Sequence, residues 1–108
     1  MKPEELKLYN KYKDINNPNR ELIYVGINNE NYYSFLFKNE NFNTTFSYLK
    51  YFGLDPDKIV KDLNLETFIN EDGNKYIKGY EWEFYVKKRI ETYFKPHLKD
   101  KINNIINR

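Results

Sequence analysis

The sequence predicts an α+β domain, and three observations support this class. Apolar residues recur with helical spacing near both ends of the chain. Short runs rich in β-branched and aromatic residues lie between these ends, separated by Asn- and Gly-containing turns. The predicted order is an N-terminal helix, a β-hairpin, two short helices, a second β-hairpin and a long kinked C-terminal helix. All of residues 1–108 are expected to form one compact domain.

The N-terminal helix is predicted over residues 3–15. Leu8, Tyr12 and Ile15 follow the i, i+4, i+7 spacing of an amphipathic helix. Proline at the third position suits a first helical turn, and the Asn- and Pro-containing segment 16–19 is expected to end the helix.

The first hairpin is predicted to pair residues 22–27 with residues 32–37. Both runs are apolar at nearly every position, so at least one side of the hairpin is expected to be covered. The polar segment 28–31 would form its loop, and Gly26 indicates a bulge in the first strand.

Two short helices are predicted to follow this hairpin. The first is expected over residues 45–52, capped at its N-terminus by Asn43 or Thr44. For the second, Asp55 is the predicted cap and Pro56 the first helical residue.

The second hairpin is predicted from residues 65–69 and 75–78, because the Asp-Gly pair at positions 72–73 favours a tight turn. Two short helices followed by a hairpin also partly fit a winged-helix DNA-binding regulator, which is the alternative functional interpretation. Its second helix carries three aspartates, a poor match to a phosphate-lined groove. The candidate nucleic-acid-binding residues for this alternative are Lys58, Lys61, Lys75 and Lys78.

The long C-terminal helix is predicted from about residue 81, with a kink at Pro96 and a continuation to residue 106. Val86, Ile90 and Phe94 would form its core-facing row. A strand is the competing interpretation of the start of this segment. Apolar residues at positions 80, 82 and 84 alternate with glutamates, which is the period of a half-buried strand.

The densest combination of aromatic and basic residues lies in the same segment and is the predicted partner-binding surface. Trp, Tyr and Arg are enriched at the energetic centres of protein interfaces. For Arg89 the alternative is a purely packing role, with its methylenes on the core and its guanidinium in water. The candidate partner-binding residues are Trp82, Phe84, Tyr85, Lys87, Lys88 and Arg89.

No catalytic, metal-binding or cofactor-binding residues are predicted. The chain has no Cys and one His, His97, and its four glycines are isolated, so neither a nucleophile pair nor a phosphate-binding loop is indicated. Helix capping accounts for Asp55 and Asp57. Glu81 and Glu83 could hold a metal from one strand face, but solvated carboxylates are the simpler interpretation.

Composition leads to the expected function by elimination. A folded, aromatic-rich chain with net charge +2 and no apolar run long enough for a membrane span is expected to be cytoplasmic. Enrichment in residues with A/T-rich codons fits a phage or mobile-element accessory protein. We therefore predict a non-catalytic binding protein, a monomer or homodimer, that acts as a stoichiometric, anti-CRISPR-like inhibitor of a host defence protein or nucleoprotein complex.

Overall fold

The computed structural model describes residues 2–15 and 17–96 and shows a mostly β protein. The strand order is β4-β5-β3-β2-β1-β6, and all neighbouring strands are antiparallel. The three-residue strand β6 extends a sheet of five strands at the β1 edge. The strands are β1 (Lys11–Asp14), β2 (Asn17–Ile27), β3 (Tyr33–Thr45), β4 (Thr67–Ile69), β5 (Lys75–Tyr85) and β6 (Phe94–Pro96).

The helices are short. A 3₁₀ helix spans Pro3–Glu5, and the α-helices are α1 (Phe46–Tyr51), α2 (Pro56–Leu63) and α3 (Lys87–Tyr93). The start of α2 is confirmed, because the Asp55 side chain accepts a hydrogen bond from the Lys58 amide. The cap of α1 is Thr45, one residue beyond Thr44 and two beyond Asn43, the predicted caps.

The predicted N-terminal helix over residues 3–15 is wrong. After the 3₁₀ turn the chain enters β1, where Tyr12 and Asp14 are buried on one face and Lys11 is exposed. Leu8 and Ile15, which the helical spacing placed in a core-facing row, are exposed. Pairing with β2 therefore determines the conformation of this segment. The alternation of a strand is visible here only at Tyr12 and Asp14, and the sequence also fitted a helical spacing.

The predicted long kinked C-terminal helix is also wrong, and with it the α+β class. Residues 81–85 continue β5 and pair with β3, so the strand interpretation of this segment is correct. Helix α3 has only seven residues and is followed by β6. The predicted continuation to residue 106 and His97 lie outside the described residues.

Both predicted hairpins are present at their expected turns. β2 pairs with β3, and β4 pairs with β5, although β2, β3 and β5 are longer than predicted. The bulge expected at Gly26 is confirmed, because the register shifts between Tyr24 and Gly26, where Gly26 has a φ of +116°.

The sheet buries side chains on both faces. The α3 face is covered by the 3₁₀ helix and α3, and its core is aromatic. The α1–α2 face is covered by α1 and α2, and its core is mainly aliphatic. The α3-face core consists of Tyr12, Leu22, Tyr24, Phe35, Phe37, Tyr85 and Ile90. The α1–α2-face core consists of Val25, Leu36, Phe46, Leu49, Leu54, Ile59, Ile77 and Trp82.

A large bulge interrupts β3 where it passes β5. Lys38 lies opposite Tyr80 and Asn43 lies opposite Lys78, so residues 39–42 face only Gly79. Gly79 has a φ of +75°, a conformation that glycine adopts without a steric penalty. The bulge projects Phe42 from the sheet as an exposed side chain.

Candidate functional site

The structure divides the predicted partner-binding residues between different surfaces. Successive residues of a strand point to opposite faces. Trp82 and Phe84 accordingly lie on the α1–α2 face, whereas Tyr85 is only 3% exposed in the α3-face core. Lys87 and Lys88 are exposed on α3. The six residues therefore do not form one continuous binding surface.

On the α3 face, Tyr85 belongs to a polar cluster that links β2 to β5. The Tyr85 hydroxyl donates to Glu83 Oε2 at 2.6 Å, and an Arg20 Nη donates to the Tyr85 hydroxyl at 3.2 Å. Arg20 also pairs with Glu83 at 2.7 Å, and its guanidinium lies 4.0 Å from the centre of the Phe37 ring. Burial raises the pKa of Tyr85 above its usual value, and the hydrogen bond to Glu83 raises it further. We name Arg20, Glu83 and Tyr85 the β2–β5 clasp.

Arg89 has a packing role in this arrangement. Its guanidinium lies 4.8 Å from the centre of the Tyr85 ring and 3.8 Å from the carboxylate of Asp14. Asp14 is buried, so the positive charge of Arg89 offsets the cost of enclosing a carboxylate. The structure thus holds the guanidinium of Arg89 against residues of its own chain, whereas the packing interpretation placed it in water.

On the opposite face, four aromatic rings form a partly exposed group that we name the aromatic cluster: Tyr48, Tyr51, Phe52 and Phe84. Phe52 lies at the centre, with ring centroids 5.0 Å from Tyr48, 5.2 Å from Tyr51 and 4.8 Å from Phe84. Tyr48 is 44% exposed and Tyr51 75% exposed, although their neighbours are half-buried. The rings therefore contact one another while presenting apolar surface to solvent.

Local hydrogen bonds hold the aromatic cluster in place. The Thr45 hydroxyl accepts from the Tyr48 amide at the start of α1. At the other end, Asn29 donates from its side chain to the Tyr51 carbonyl and from its backbone to the Phe52 carbonyl. The β2–β3 loop thus satisfies carbonyl groups at the helix C-terminus, which would otherwise lack partners. The backbone that carries Tyr48, Tyr51 and Phe52 is therefore fixed by hydrogen bonds at both ends of α1.

A groove of about 340 Å³ adjoins the aromatic cluster. Phe42 on the bulge of β3 and Tyr48 on α1 line it together with Trp82 of β5. Trp82 is 9% exposed, and its indole Nε1–H is buried with no acceptor among the described residues. The remaining lining residues are Asn43, Thr44, Thr45 and Glu81.

Only Trp82 and Phe84 of the predicted set belong to this aromatic surface. The prediction missed Phe42, Tyr48, Tyr51 and Phe52. A signal for three of them was present, because residues 48, 51 and 52 follow the i, i+3, i+4 spacing while the helix also has to bury Phe46 and Leu49. A six-residue helix cannot turn all of these side chains toward one core.

The residues predicted for the DNA-binding alternative are largely engaged within the chain. Lys58 pairs with Asp62 at 2.9 Å, and Lys78 lies 3.5 Å from Glu66. The Lys75 ammonium lies 4.9 Å from the centre of the Phe46 ring. Lys61, on the exposed side of α2, appears in no ion pair among the described residues. Among the described residues, Lys58 and Lys78 are therefore in ion pairs with carboxylates of their own chain, whereas Lys61 and Lys75 are not.

Other possible site types find no support in the described residues. There, no group of three or more His, Cys, Asp or Glu side chains is arranged to hold a metal ion. Over the same part of the chain, no helix has the length and apolar character needed to cross a membrane. No protein-family model, curated protein or solved structure gives a significant match to the chain.

Proposed function

We propose that this protein acts by binding a partner protein through the aromatic cluster and by covering part of that partner's surface. The observation that carries the proposal is the mutual packing of Tyr48, Tyr51, Phe52 and Phe84 at the surface. Contiguous exposed apolar patches mark interaction sites, and aromatic residues are enriched at interface centres. Rings already fixed by their neighbours lose little conformational freedom when a partner covers them.

The distribution of polar groups is consistent with a binding role. On the α3 face, the charged groups of the β2–β5 clasp and the Asp14–Arg89 pair contact one another. The exposed rings of the aromatic cluster, Tyr48 and Tyr51, are instead on the α1–α2 face. Inhibition of a host defence protein, the activity expected from composition, would follow if the covered surface were one that the host protein needs. This target stays a prediction.

A comparative capture experiment tests the proposal. The bait proteins are the wild type, the double variant Tyr48→Ala/Tyr51→Ala, and a matched control, Lys87→Ala/Lys88→Ala, which changes exposed residues of α3. Proteins captured from a lysate of the source organism are quantified by mass spectrometry. We expect a protein that the wild type and the control capture equally and that the ring variant captures at least about tenfold less, as for two central interface side chains.

Two outcomes would contradict the proposal. If the ring variant captures the partner as well as the wild type does, the aromatic cluster is not the contact surface. Loss of capture in the lysine variant alone would instead place the contact on α3, at two of the residues predicted from the sequence. Circular dichroism of each bait, showing the same folded spectrum, ensures that a loss of capture reflects a lost contact.

Measuring the binding of duplex DNA at increasing salt concentration distinguishes the DNA-binding alternative from the protein-binding proposal. A regulator would bind specifically, with an affinity that falls steeply as salt increases. The protein-binding proposal expects no sequence-selective binding in this assay.

A further inference from the structure

The two edges of the sheet differ in their protection against further strand pairing. Strand β6 lies at one edge and β4 at the other. Proteins commonly protect an edge strand with charged side chains, with proline or with a bulge. Strand β6 contains Lys95 and Pro96, whereas β4 consists of Thr67, Phe68 and Ile69 and has neither charge nor proline. The three residues of β4 also pair with β5 without a register shift. The β4 edge therefore has none of these protections.

Hydrogen bonds at the two ends of β4 show which of its backbone groups face outward. Just before the strand, the Glu66 carbonyl accepts from the Lys78 amide of β5, and just after it the Asn70 amide donates to the Asn74 carbonyl, each at 2.9 Å. Backbone groups in an antiparallel strand point to alternate sides along the chain. The middle residue of β4 therefore faces β5, and the first and third residues direct their N–H and C=O groups away from it. Among the described residues, no strand pairs with this outer side.

The side chains beside these open groups are uncharged and partly exposed. Ile69 is 66% exposed and Phe68 is 38% exposed. The Phe68 ring stacks on Tyr76 of β5, with centroids 5.2 Å apart and an angle of 12° between the ring planes. An added strand would cover this apolar surface and also complete the backbone hydrogen bonds, and both contributions favour pairing.

We propose that β4 pairs with the β4 strand of a second copy of this chain, so that the two sheets join across a two-fold axis. In the antiparallel register centred on Phe68, the two Phe68 residues lie opposite each other, and Thr67 of each copy lies opposite Ile69 of the other. Each outward N–H group then meets an outward C=O group. Pairs of aromatic residues and of β-branched residues stabilise neighbouring strands. This inference does not depend on the proposed function.

The charges around the edge fit a second copy as the occupant. In the same register, Glu66 lies opposite Asn70 of the other copy, so no like charges are directly opposed next to the paired residues. The part of β5 that extends beyond β4 also has no strand on this side among the described residues. Two-fold pairing there, centred on Trp82, would place Glu81 opposite Glu83, and like charges directly opposite each other are destabilising. The β4 edge is therefore the better match to its own copy.

Sedimentation equilibrium of the full chain measures this pairing. A short strand edge buries less area than a standard interface, so we expect a weak, reversible dimer whose fraction rises between about 10 µM and about 1 mM. Nuclear magnetic resonance of a mixture of isotope-labelled and unlabelled chains identifies the register. Residues of a non-hydrogen-bonded antiparallel pair have their α-carbons closest together, so we expect an intermolecular Overhauser contact between the α-protons of Phe68.

Substitutions at Thr67 separate the backbone hydrogen bond from the side chain. Thr67→Pro removes one outward N–H group from each copy, and proline is tolerated at the first residue of an edge strand. We expect the dissociation constant of the dimer to rise at least about tenfold, since the symmetry removes two hydrogen bonds. Thr67→Val keeps the N–H group and a β-branched side chain, and it should leave the constant within about threefold of the wild type. Ile69→Lys places a charge on the exposed edge and is a second disrupting variant.

The inference is overturned if the chain stays monomeric at about 1 mM, or if the dimer lacks the Phe68 contact. It is also overturned if neither Thr67→Pro nor Ile69→Lys weakens the dimer while circular dichroism shows both variants folded. Loss of the dimer in Tyr48→Ala/Tyr51→Ala but not in Thr67→Pro would mean that the copies meet through the aromatic cluster, which also overturns the inference. A monomeric chain that still captures a partner through the aromatic cluster removes only the pairing of β4 and leaves the proposed function in place.

Discussion

The two faces of the sheet use their aromatic residues in different ways. On the α3 face, Phe35 is fully buried, with Tyr12, Tyr24 and Tyr85 rings around it at centroid distances of 6.5, 5.4 and 5.6 Å. On the α1–α2 face, the aliphatic core buries the indole of Trp82, and the aromatic cluster lies at the surface. Aromatic content alone therefore does not distinguish a buried core from an exposed cluster of rings.

Strand β5 contributes to both faces, and its alternation explains the difference. Glu83 and Tyr85 point to the α3 face and form the β2–β5 clasp with Arg20. Trp82 and Phe84 point to the other face, toward the groove and the aromatic cluster. Neighbouring residues in one short stretch thus have separable structural and proposed binding roles, and this separation can be tested by substitution.

The largest expected difference in stability is between substitutions at two consecutive aromatic residues of β5, Phe84 and Tyr85. Tyr85→Ala removes a buried ring and leaves Arg20 and Glu83 without its hydroxyl, so it should lower the free energy of unfolding by about 3–5 kcal/mol. Phe84→Ala removes a half-buried ring and should cost about 1–2 kcal/mol. Urea denaturation of both variants measures the difference. Equal losses would mean that the two faces do not differ as described.

A smaller effect is expected for the charge of the clasp. Glu83→Gln weakens its hydrogen bonds with Arg20 and Tyr85, and because both charged groups retain some solvent contact the cost should be about 1–2 kcal/mol. Glu66→Gln is the control, since the Glu66–Lys78 pair is highly exposed and should contribute less than about 0.5 kcal/mol. Thermal unfolding checks both values. A larger loss of stability in Glu66→Gln than in Glu83→Gln would show that the clasp contributes no more than an exposed ion pair.

The contribution of Tyr85 to the free energy of unfolding should decrease at alkaline pH. The pKa of Tyr85 is raised in the folded protein, so above about pH 10 the unfolded state loses this proton while the folded state retains it. The corresponding stability is complete below about pH 10 and declines as the pH rises further. Tyr85→Phe, compared with the wild type by urea denaturation from pH 8 to about pH 11, should show a shallower decline. An identical decline in both proteins would contradict this role of Tyr85.

The smallest expected change in stability is at the exposed end of the aromatic cluster. Tyr51 is 75% exposed, so Tyr51→Ala should change the free energy of unfolding by less than about 0.5 kcal/mol. The thermal midpoint of this variant is the measurement. A loss above about 1 kcal/mol would show that Tyr51 stabilises α1, and would weaken its interpretation as a residue available to a partner.

Local chemistry allowed several elements to be predicted from the sequence. The turn at residues 72–73 and the cap formed by Asp55 depend on side chains within a few positions of one another, and both are present. Gly26 likewise indicated the bulge in β2. These features depend only on residues that are close together in the sequence, so they can be predicted without knowing how distant segments pair.

The terminal elements depended on long-range pairing that the sequence does not display. Helical spacing near both ends suggested long helices, but β1 is stabilised by β2 and residues 81–85 by β3. Val86, expected in a core-facing row, is exposed in the structure. Strand pairing is a tertiary interaction, and it overrode a local pattern of three or four residues.

The candidate surface was predicted only in part for the same reason. Trp82 and Phe84 were identified because they stand in a dense aromatic segment. Their neighbours in space, Phe42 and Tyr48, come from a bulge and a separate helix, and only the pairing of β3 with β5 brings them together. Tyr85 was assigned to the same surface because the helix prediction removed the alternation that sends it to the core.

The alternation along β5 imposes a rule on sequence change. Inserting or deleting one residue between positions 80 and 85 would exchange the two sets of side chains, directing Glu83 toward solvent-facing rings and Phe84 into the space of the half-buried Glu83 carboxylate. An added residue within 39–42 would leave that parity intact, because this segment lies outside the paired register. We therefore expect variation in length to be tolerated within the bulge of β3, at residues 39–42, and not within residues 80–85 of β5.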